Sequence, residues 1–161
     1  MKIYTLRKEQ RVPLPLDKVF AFFEKPENLA TITPPWLGFR TLTPSPIVMK
    51  RGAEFEYRIR VMGVRMRWRS LISDYQPPVR FVDEQVKGPY AYWHHTHTFS
   101  EAGGGTLVGD EVRYALPFGV IGRMARTLFV ARQLEDIFAY RSRVIREMFS
   151  QGGAHAQAGP F

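Results

Sequence analysis

Hydrophobic positions in this chain follow two periods, and the switch between them marks out the elements. From Gly52 the alternation is strict: Phe55, Tyr57, Ile59 and Val61 fall on one face, Glu54, Glu56, Arg58 and Arg60 on the other. That is the signature of a half-buried strand. Met62-Gly63 reads as a hairpin turn, after which Val64, Met66 and Trp68 continue the apolar face. A tight turn there sets Tyr57 opposite Trp68 and Ile59 opposite Met66, and also Arg58 opposite Arg67 and Arg60 opposite Arg65. The same period returns between Tyr90 and Leu116. Trp93, His95, His97 and Phe99 share one face of a first strand, and Val108, Asp110, Val112, Tyr114 and Leu116 share one face of a second. Gly103, Gly104 and Gly105 between them can take the positive φ that a tight turn needs. If that turn sets Phe99 near Val108, His97 lies across from Asp110 and His95 across from Val112.

Elsewhere the pattern gives a strand over Ile3 to Val12, ended by Pro13 and Pro15, which cannot donate to a ladder. Leu16 to Lys25 spaces Val19, Phe20, Phe22 and Phe23 as a helix does, with Asp17 in the first turn, where its charge suits the dipole. Glu27 to Ile32 reads as a second short helix. Thr33-Pro34-Pro35-Trp36 is expected to be an extended loop, since residues before proline leave the α region. Short strands follow at Phe39–Leu42 and Arg80–Lys87. From Val120 to Phe149 the period changes to three and four. Met124, Leu128, Ala131, Leu134, Ile137, Phe138, Ile145 and Met148 make one side, and Arg132, Asp136, Arg143 and Glu147 the other. About 30 residues at 1.5 Å each is long for one straight helix, so a bend near Thr127 is expected. Residues 1–150 then form one domain, and Gly152 to Phe161, rich in Gly and Ala, is expected to be a disordered tail. Antiparallel strands with segregated helices define an α+β domain. A sheet of seven strands curled around a long terminal helix is the layout of a helix-grip fold, which often encloses a cavity.

Composition narrows this little further. The chain has 161 residues, 45% hydrophobic and 14% aromatic, enough for one folded domain with a sizeable core. It contains no cysteine, which excludes disulfides and thiolate metal sites. No apolar run approaches the roughly 20 residues of a membrane span, and the charged N-terminus lacks the apolar stretch of a signal peptide. A cytoplasmic location is the expectation. The net charge of +8 is compatible with acidic ligands or a transient contact with an anionic membrane surface. Opposed like charges at Arg58/Arg67 and Arg60/Arg65 destabilise a ladder by up to about 1 kcal/mol, so either Glu54 and Glu56 screen them or that face meets an anionic partner. It carries no aromatic interleaving and no RNA-binding motif, so no nucleic-acid partner is expected.

Several stretches together resemble the SRPBCC superfamily, which shares the helix-grip fold of birch pollen allergen and START domains. They are the run Ile32 to Phe39, the pattern Trp93-x-His95-x-His97-x-Phe99, and Gly105-Thr106 followed by Asp110-x-Val112-x-Tyr114-x-Leu116-Pro117. Gly119-x-x-Gly122-Arg123 to Phe129, Arg132-Gln133-Leu134 and Phe138-x-Tyr140-Arg141 complete the set, so that the match runs from Ile3 to about Phe149. The chain looks most similar to bacterial single-domain members grouped with polyketide cyclases and dehydrases, and a related domain occurs fused to sugar-nucleotide-epimerase-like proteins. The resemblance implies the fold and a ligand cavity. Because the superfamily includes lipid carriers, cyclases and lyases, it does not choose among them.

The candidate chemistry lies on the wall of that cavity. His97 beside Asp110 has the form of a general-base pair, with Tyr57 or Tyr114 as a proton donor for a cyclase- or dehydrase-type enzyme. A buried polar pair satisfying its own hydrogen bonds is the ordinary alternative. His95, His97 and Asp110 match the donor set of a facial triad. Neighbours on one strand diverge too little to wrap an ion, however, and no further ligand is apparent, so no metal and no cofactor are expected. Trp36, Tyr57, Trp68, Trp93, His95, Phe99, Tyr114 and Phe138 are the candidate ligand-binding set for a hydrophobic small molecule, with Trp36 over the entrance. The helix-end arginines Arg141, Arg143 and Arg146 are explained by the dipole at a helix C-terminus. Binding leads, catalysis follows, a basic surface binder comes third, and both monomer and dimer stay open.

Overall fold

A computed structural model describes residues 1–61, 63–117 and 123–155. The strands are β1 (Tyr4–Val12), β2 (Arg40–Thr41), β3 (Glu54–Val61), β4 (Val64–Gln76), β5 (Arg80–Lys87), β6 (Tyr92–Ala102) and β7 (Gly105–Ala115), and the helices are α1 (Leu16–Phe23), α2 (Leu29–Ile32) and α3 (Arg123–His155). One antiparallel sheet takes the order β1-β7-β6-β5-β4-β3-β2. β4 shifts its register against β5 between Arg69 and Ser70 and again between Ile72 and Asp74. Such irregularities bend a strand, and the bent sheet wraps α3 in the helix-grip arrangement that the alternation implies.

Both hairpin registers form as the sequence requires. Tyr57 pairs with Trp68 and Arg58 with Arg67, while His97 pairs with Asp110 and His95 with Val112. The glycine turn is finer than expected. Gly103 and Gly104 have φ of 56° and 81°, but Gly105 is needed for space, since a Cβ there would lie 2.4 Å from the Val12 carbonyl oxygen. In the β3–β4 turn Gly63 has φ 80°, and Met62 lies outside the described residues. Arg40 extends the arginine row by pairing with Arg58. Glu56 screens part of it, accepting from Arg69 Nε at 2.9 Å and lying 4.0 Å from Arg67.

Three expectations need correction. Thr33 and Pro34 are extended, but Pro35–Leu37 closes a 3-10 turn, because proline suits the first position of a helical turn, where its missing N–H is not required. The terminal helix is a single element of 33 residues without a break at Thr127. It has neither Pro nor Gly before Gly152, the residues at which sharp kinks arise, and its predicted start at Phe118 to Gly122 lies outside the described residues. Its last turn includes Gly152–His155, which composition had assigned to the tail, since a formed helix propagates at one hydrogen bond per residue. Residues 156–161 are not among those described.

The packed stripe of α3 is narrower than its spacing implied. Leu134, Phe138 and Ile145 are buried, whereas Leu128 is 69% exposed. Gln10 Nε2 donates to the Ser142 carbonyl at 2.7 Å, and Lys8 pairs with Glu135, fixing the helix to β1. Beneath it lie two apolar clusters. In one, α1 packs Val19, Phe20 and Phe23 on Phe81, Phe99 and Val108; in the other, Leu134 and Phe138 pack on Val112 and Tyr114.

Candidate functional site

Between the two clusters the sheet and α3 do not meet, and a cavity of ≈ 170 Å³ remains. Its sheet wall carries Tyr57, Trp68 and Trp93, its helix wall Leu134, Ile137 and Phe138. Trp68 stacks on Tyr57 at 5.7 Å and meets Trp93 edge-on at 5.0 Å, so the aromatic wall is continuous. Trp68 Nε1 is buried and has no hydrogen-bond partner among the described residues. Burial first, and then the charge of Asp83, hold the Tyr57 hydroxyl well above its ordinary pKa, so Tyr57 stays a donor.

Of the residues the sequence proposed, Tyr57, Trp68, Trp93, His95 and Phe138 line this cavity, together with His97. Trp36, Phe99 and Tyr114 are not among its lining residues. Phe99 lies toward α1, where the rings of Phe20 and Phe23 at 5.2 and 5.3 Å occupy the space. Tyr114 packs against Tyr4 and Tyr90 instead. Trp36 is exposed, its ring edge-on to Tyr140 at 5.7 Å.

One end of the cavity is ionic. His95 and His97 project from the same face of β6, ring centroids 3.7 Å apart, and are 5% and 4% exposed. His97 does not form the short bond to Asp110 that their opposition implied. Asp110 Oδ1 instead accepts from His95 Nε2 at 2.8 Å, and His97 Nε2 donates to Asp83 Oδ2 at 2.8 Å. His97 Nδ1 faces Asp110 Oδ1 at 3.2 Å without the alignment of a hydrogen bond. Arg141 Nη1 approaches Asp110 Oδ1 at 3.8 Å. Asp83, His95, His97 and Arg141 line the cavity, while Asp110 stands behind them on a polar recess between β1 and α3.

Burial works against every charge here, and the neighbours decide which survive. Asp110 is held well below the usual carboxylate range because the Arg141 charge and the two histidines beside it outweigh burial. Asp83 is also lowered, mainly through His97. Burial and the adjacent His97 lower His95, whereas contacts with Asp110 and Asp83 overcome burial and raise His97. Arg141 offsets one of the two carboxylates, and a proton taken up on His97 would offset the other, which is how a buried charged network avoids a large desolvation penalty. Chemically, the site offers a proton on His97, a carboxylate on Asp83 and a neutral phenol on Tyr57, all at the cavity wall.

Asp83 and Arg141 were missed, although each carries a signal. Asp83 follows Phe81 by two on the apolar face of β5. Arg141 continues the buried stripe Leu134, Phe138, Arg141, Ile145 at steps of four, three and four, and belongs to the cluster rather than to the helix end.

Solved structures that resemble this one share its architecture at low identity. TTHA0849 from Thermus thermophilus superposes with a TM-score of 0.66 at 18% identity, over 92% of this chain and 99% of that one. Major latex-like protein 151 from Panax ginseng gives 0.63 at 15%, over 91% and 97%. A nucleoside-diphosphate sugar epimerase from Corynebacterium glutamicum gives 0.62 at 23%, over 88% of this chain but 28% of its own. These likenesses establish the fold. No curated protein matches in sequence. The family model described as polyketide cyclase / dehydrase and lipid transport matches residues 12–139, the stretch that holds every strand but most of β1, together with every cavity-lining residue except Arg141, and the chain belongs to that family.

Proposed function

We propose that the protein binds a small apolar or aromatic molecule, polyketide- or lipid-like and bearing an oxygen, in the cavity between the sheet and α3. The observation that carries this is the aromatic-walled hollow ending on a buried ionic cluster. A dry cavity of about 150 Å³ is enough to admit benzene, so ≈ 170 Å³ accommodates one ring or a short chain. A longer ligand extends past Lys25, an exposed residue on the rim. Trp68 Nε1 lacks a partner, and a buried unsatisfied donor favours a ligand that supplies an acceptor. Among the described residues no helix is long and apolar enough to cross a membrane.

Native mass spectrometry of the purified protein tests the reading, together with titration of a naphthalene-sulfonate probe. A copurified small molecule or one-to-one probe uptake is expected, with affinity falling more than tenfold in Trp68→Ala. Protein that carries nothing and takes up no probe ends it.

A second reading is cyclase- or dehydratase-type turnover, favoured by His97, whose pKa its two carboxylate neighbours raise, and by the Tyr57 phenol on the same wall. There His97→Gln lowers turnover while leaving probe binding within about twofold. Equal losses in both measurements assign His97 to binding alone.

A further inference from the structure

We infer that Asp83, His95 and His97 form a site for a divalent transition-metal ion, oriented by Asp110 and open toward the cavity. This goes beyond small-molecule binding and stands or falls separately from it. Three donors converge from two neighbouring strands: Asp83 Oδ2 lies 2.8 Å from His97 Nε2 and 3.6 Å from His95 Nδ1. The set as a whole lies within 4.8 Å. A tetrahedral ion holding its ligands at about 2.0–2.1 Å needs them roughly 3.4 Å apart. The two spacings from Asp83 straddle that value, and drawing Asp83 back from His97 opens the space an ion needs.

The directions of the nitrogens matter more than the distances. An ionised carboxylate only accepts, so His95 Nε2, at 2.8 Å from Asp110, carries the hydrogen. With that hydrogen on Nε2, a ligating ring presents the lone pair of Nδ1 toward Asp83. A lone pair facing a carboxylate is repulsive unless a cation or a proton lies between them. His97 offers Nε2 to the same oxygen and directs Nδ1 at Asp110. One carboxylate thus stands behind both imidazoles, on the side away from the converging donors. Carboxylates in that position fix the tautomer of metal-bound histidines.

The single-strand objection also fails here. Two histidines on β6 cannot surround an ion, but Asp83 faces His95 directly across the β5–β6 ladder and supplies the third donor from the side. Two nitrogens and one oxygen suit Zn²⁺, Co²⁺ or Fe²⁺ better than Mg²⁺ or Ca²⁺, which prefer oxygen. Ligation requires both imidazoles neutral, any proton on His97 Nε2 leaving to solvent; with Arg141 offsetting Asp110, a divalent ion on Asp83 then leaves one uncompensated positive charge. The open position therefore favours an anionic oxygen: hydroxide, or a carboxylate, enolate or phenolate of a molecule in the cavity.

Wild-type protein, freed of metal by a chelator, provides the test. The chain has four histidines, and their imidazole resonances can be followed during Zn²⁺ titration. Signals of His95 and His97 are expected to shift together and saturate at one equivalent, while His94, on the opposite face of β6, stays fixed. Co²⁺ should give the visible absorption of a four- or five-coordinate ion. Asp83→Asn should weaken binding at least a hundredfold, Asp110→Asn between about ten- and a hundredfold, and His94→Ala less than twofold. The inference is overturned if wild type takes up neither ion stoichiometrically, if Zn²⁺ moves other histidines instead, or if folded Asp83→Asn binds like wild type. Probe binding by the metal-free protein separates the two readings. Probe uptake without Zn²⁺ binding removes the metal alone, and Zn²⁺ binding without probe uptake removes the apolar cavity alone.

Discussion

The space beneath α3 is treated in opposite ways at its two ends. Toward α1, Phe20 meets Phe81 and Phe99 edge-on at 6.2 and 5.2 Å, and the aromatic rings fill the gap. Toward Trp68, the same curved sheet faces a hollow, with charged groups at the boundary. Strand β6 passes through both, with Phe99 in the filled part, His97 and His95 at the boundary and Trp93 on the open wall. The difference shows that one helix is too little to fill the sheet's concave face. Where α1 sets Phe20 and Phe23 against Phe99 the space is filled and the fold gains stability; farther along β6 the strands are free to place polar groups. Apolar replacements of a buried ionic cluster are often neutral or stabilising, so stability alone does not explain this one.

The largest expected effect is at the filled end. Phe99→Ala should destabilise by about 4 kcal/mol in urea unfolding and leave probe affinity within twofold. A loss of affinity as large as that of Trp68→Ala would erase the distinction between the ends. Next, Arg141→Met should cost about 3 kcal/mol by leaving Asp110 buried without its cation. Adding Asp110→Asn should recover most of that loss, because no uncompensated charge remains, and a double variant no more stable than the single one would place the effect of Arg141 in packing. Ile59→Phe, directed into the hollow, should change stability by less than about 1 kcal/mol because it fills space instead of crowding a full core, yet reduce probe affinity at least tenfold.

The smallest effect tests a link at the α1 end by pH. Tyr75 donates to Glu24 at 2.8 Å, and burial, followed by Glu24, pushes its pKa up to about 12. A raised pKa means that this contribution is complete below the ordinary tyrosine value of about 10 and fades as pH rises through about 12. Tyr75→Phe should remove that alkaline dependence, read as tyrosinate absorbance alongside unfolding, and cost less than about 1 kcal/mol near neutrality.

Local periods made most of the fold legible. Period-two alternation and the glycine turn give the β6–β7 register to the residue, which places His95 and His97 on one face with Asp110. What that pattern cannot provide is a contact between strands not joined by a short turn's register. Asp83 required the β5–β6 pairing, and once present it took His97 and left Asp110 to His95. Arg141 was hidden by its charge, since a cation near the end of a helix has an adequate local explanation and only the stripe of Leu134, Phe138 and Ile145 puts it inside. Phe99 and Tyr114 share the inward face with true cavity residues, and separating them needs the position of α1 and of Tyr90, which no alternation encodes.

The arginines of the outer sheet also bear on self-association. The sheet ends at β2, two residues long, where Arg40, Arg58 and Arg67 stand abreast on successive strands. A second copy adding its own edge would gain a ladder of few hydrogen bonds and bring matching cations against these. Short, charged edges deter strand addition, so the repulsion that strains the hairpin locally also disfavours pairing of a second copy at the β2 edge.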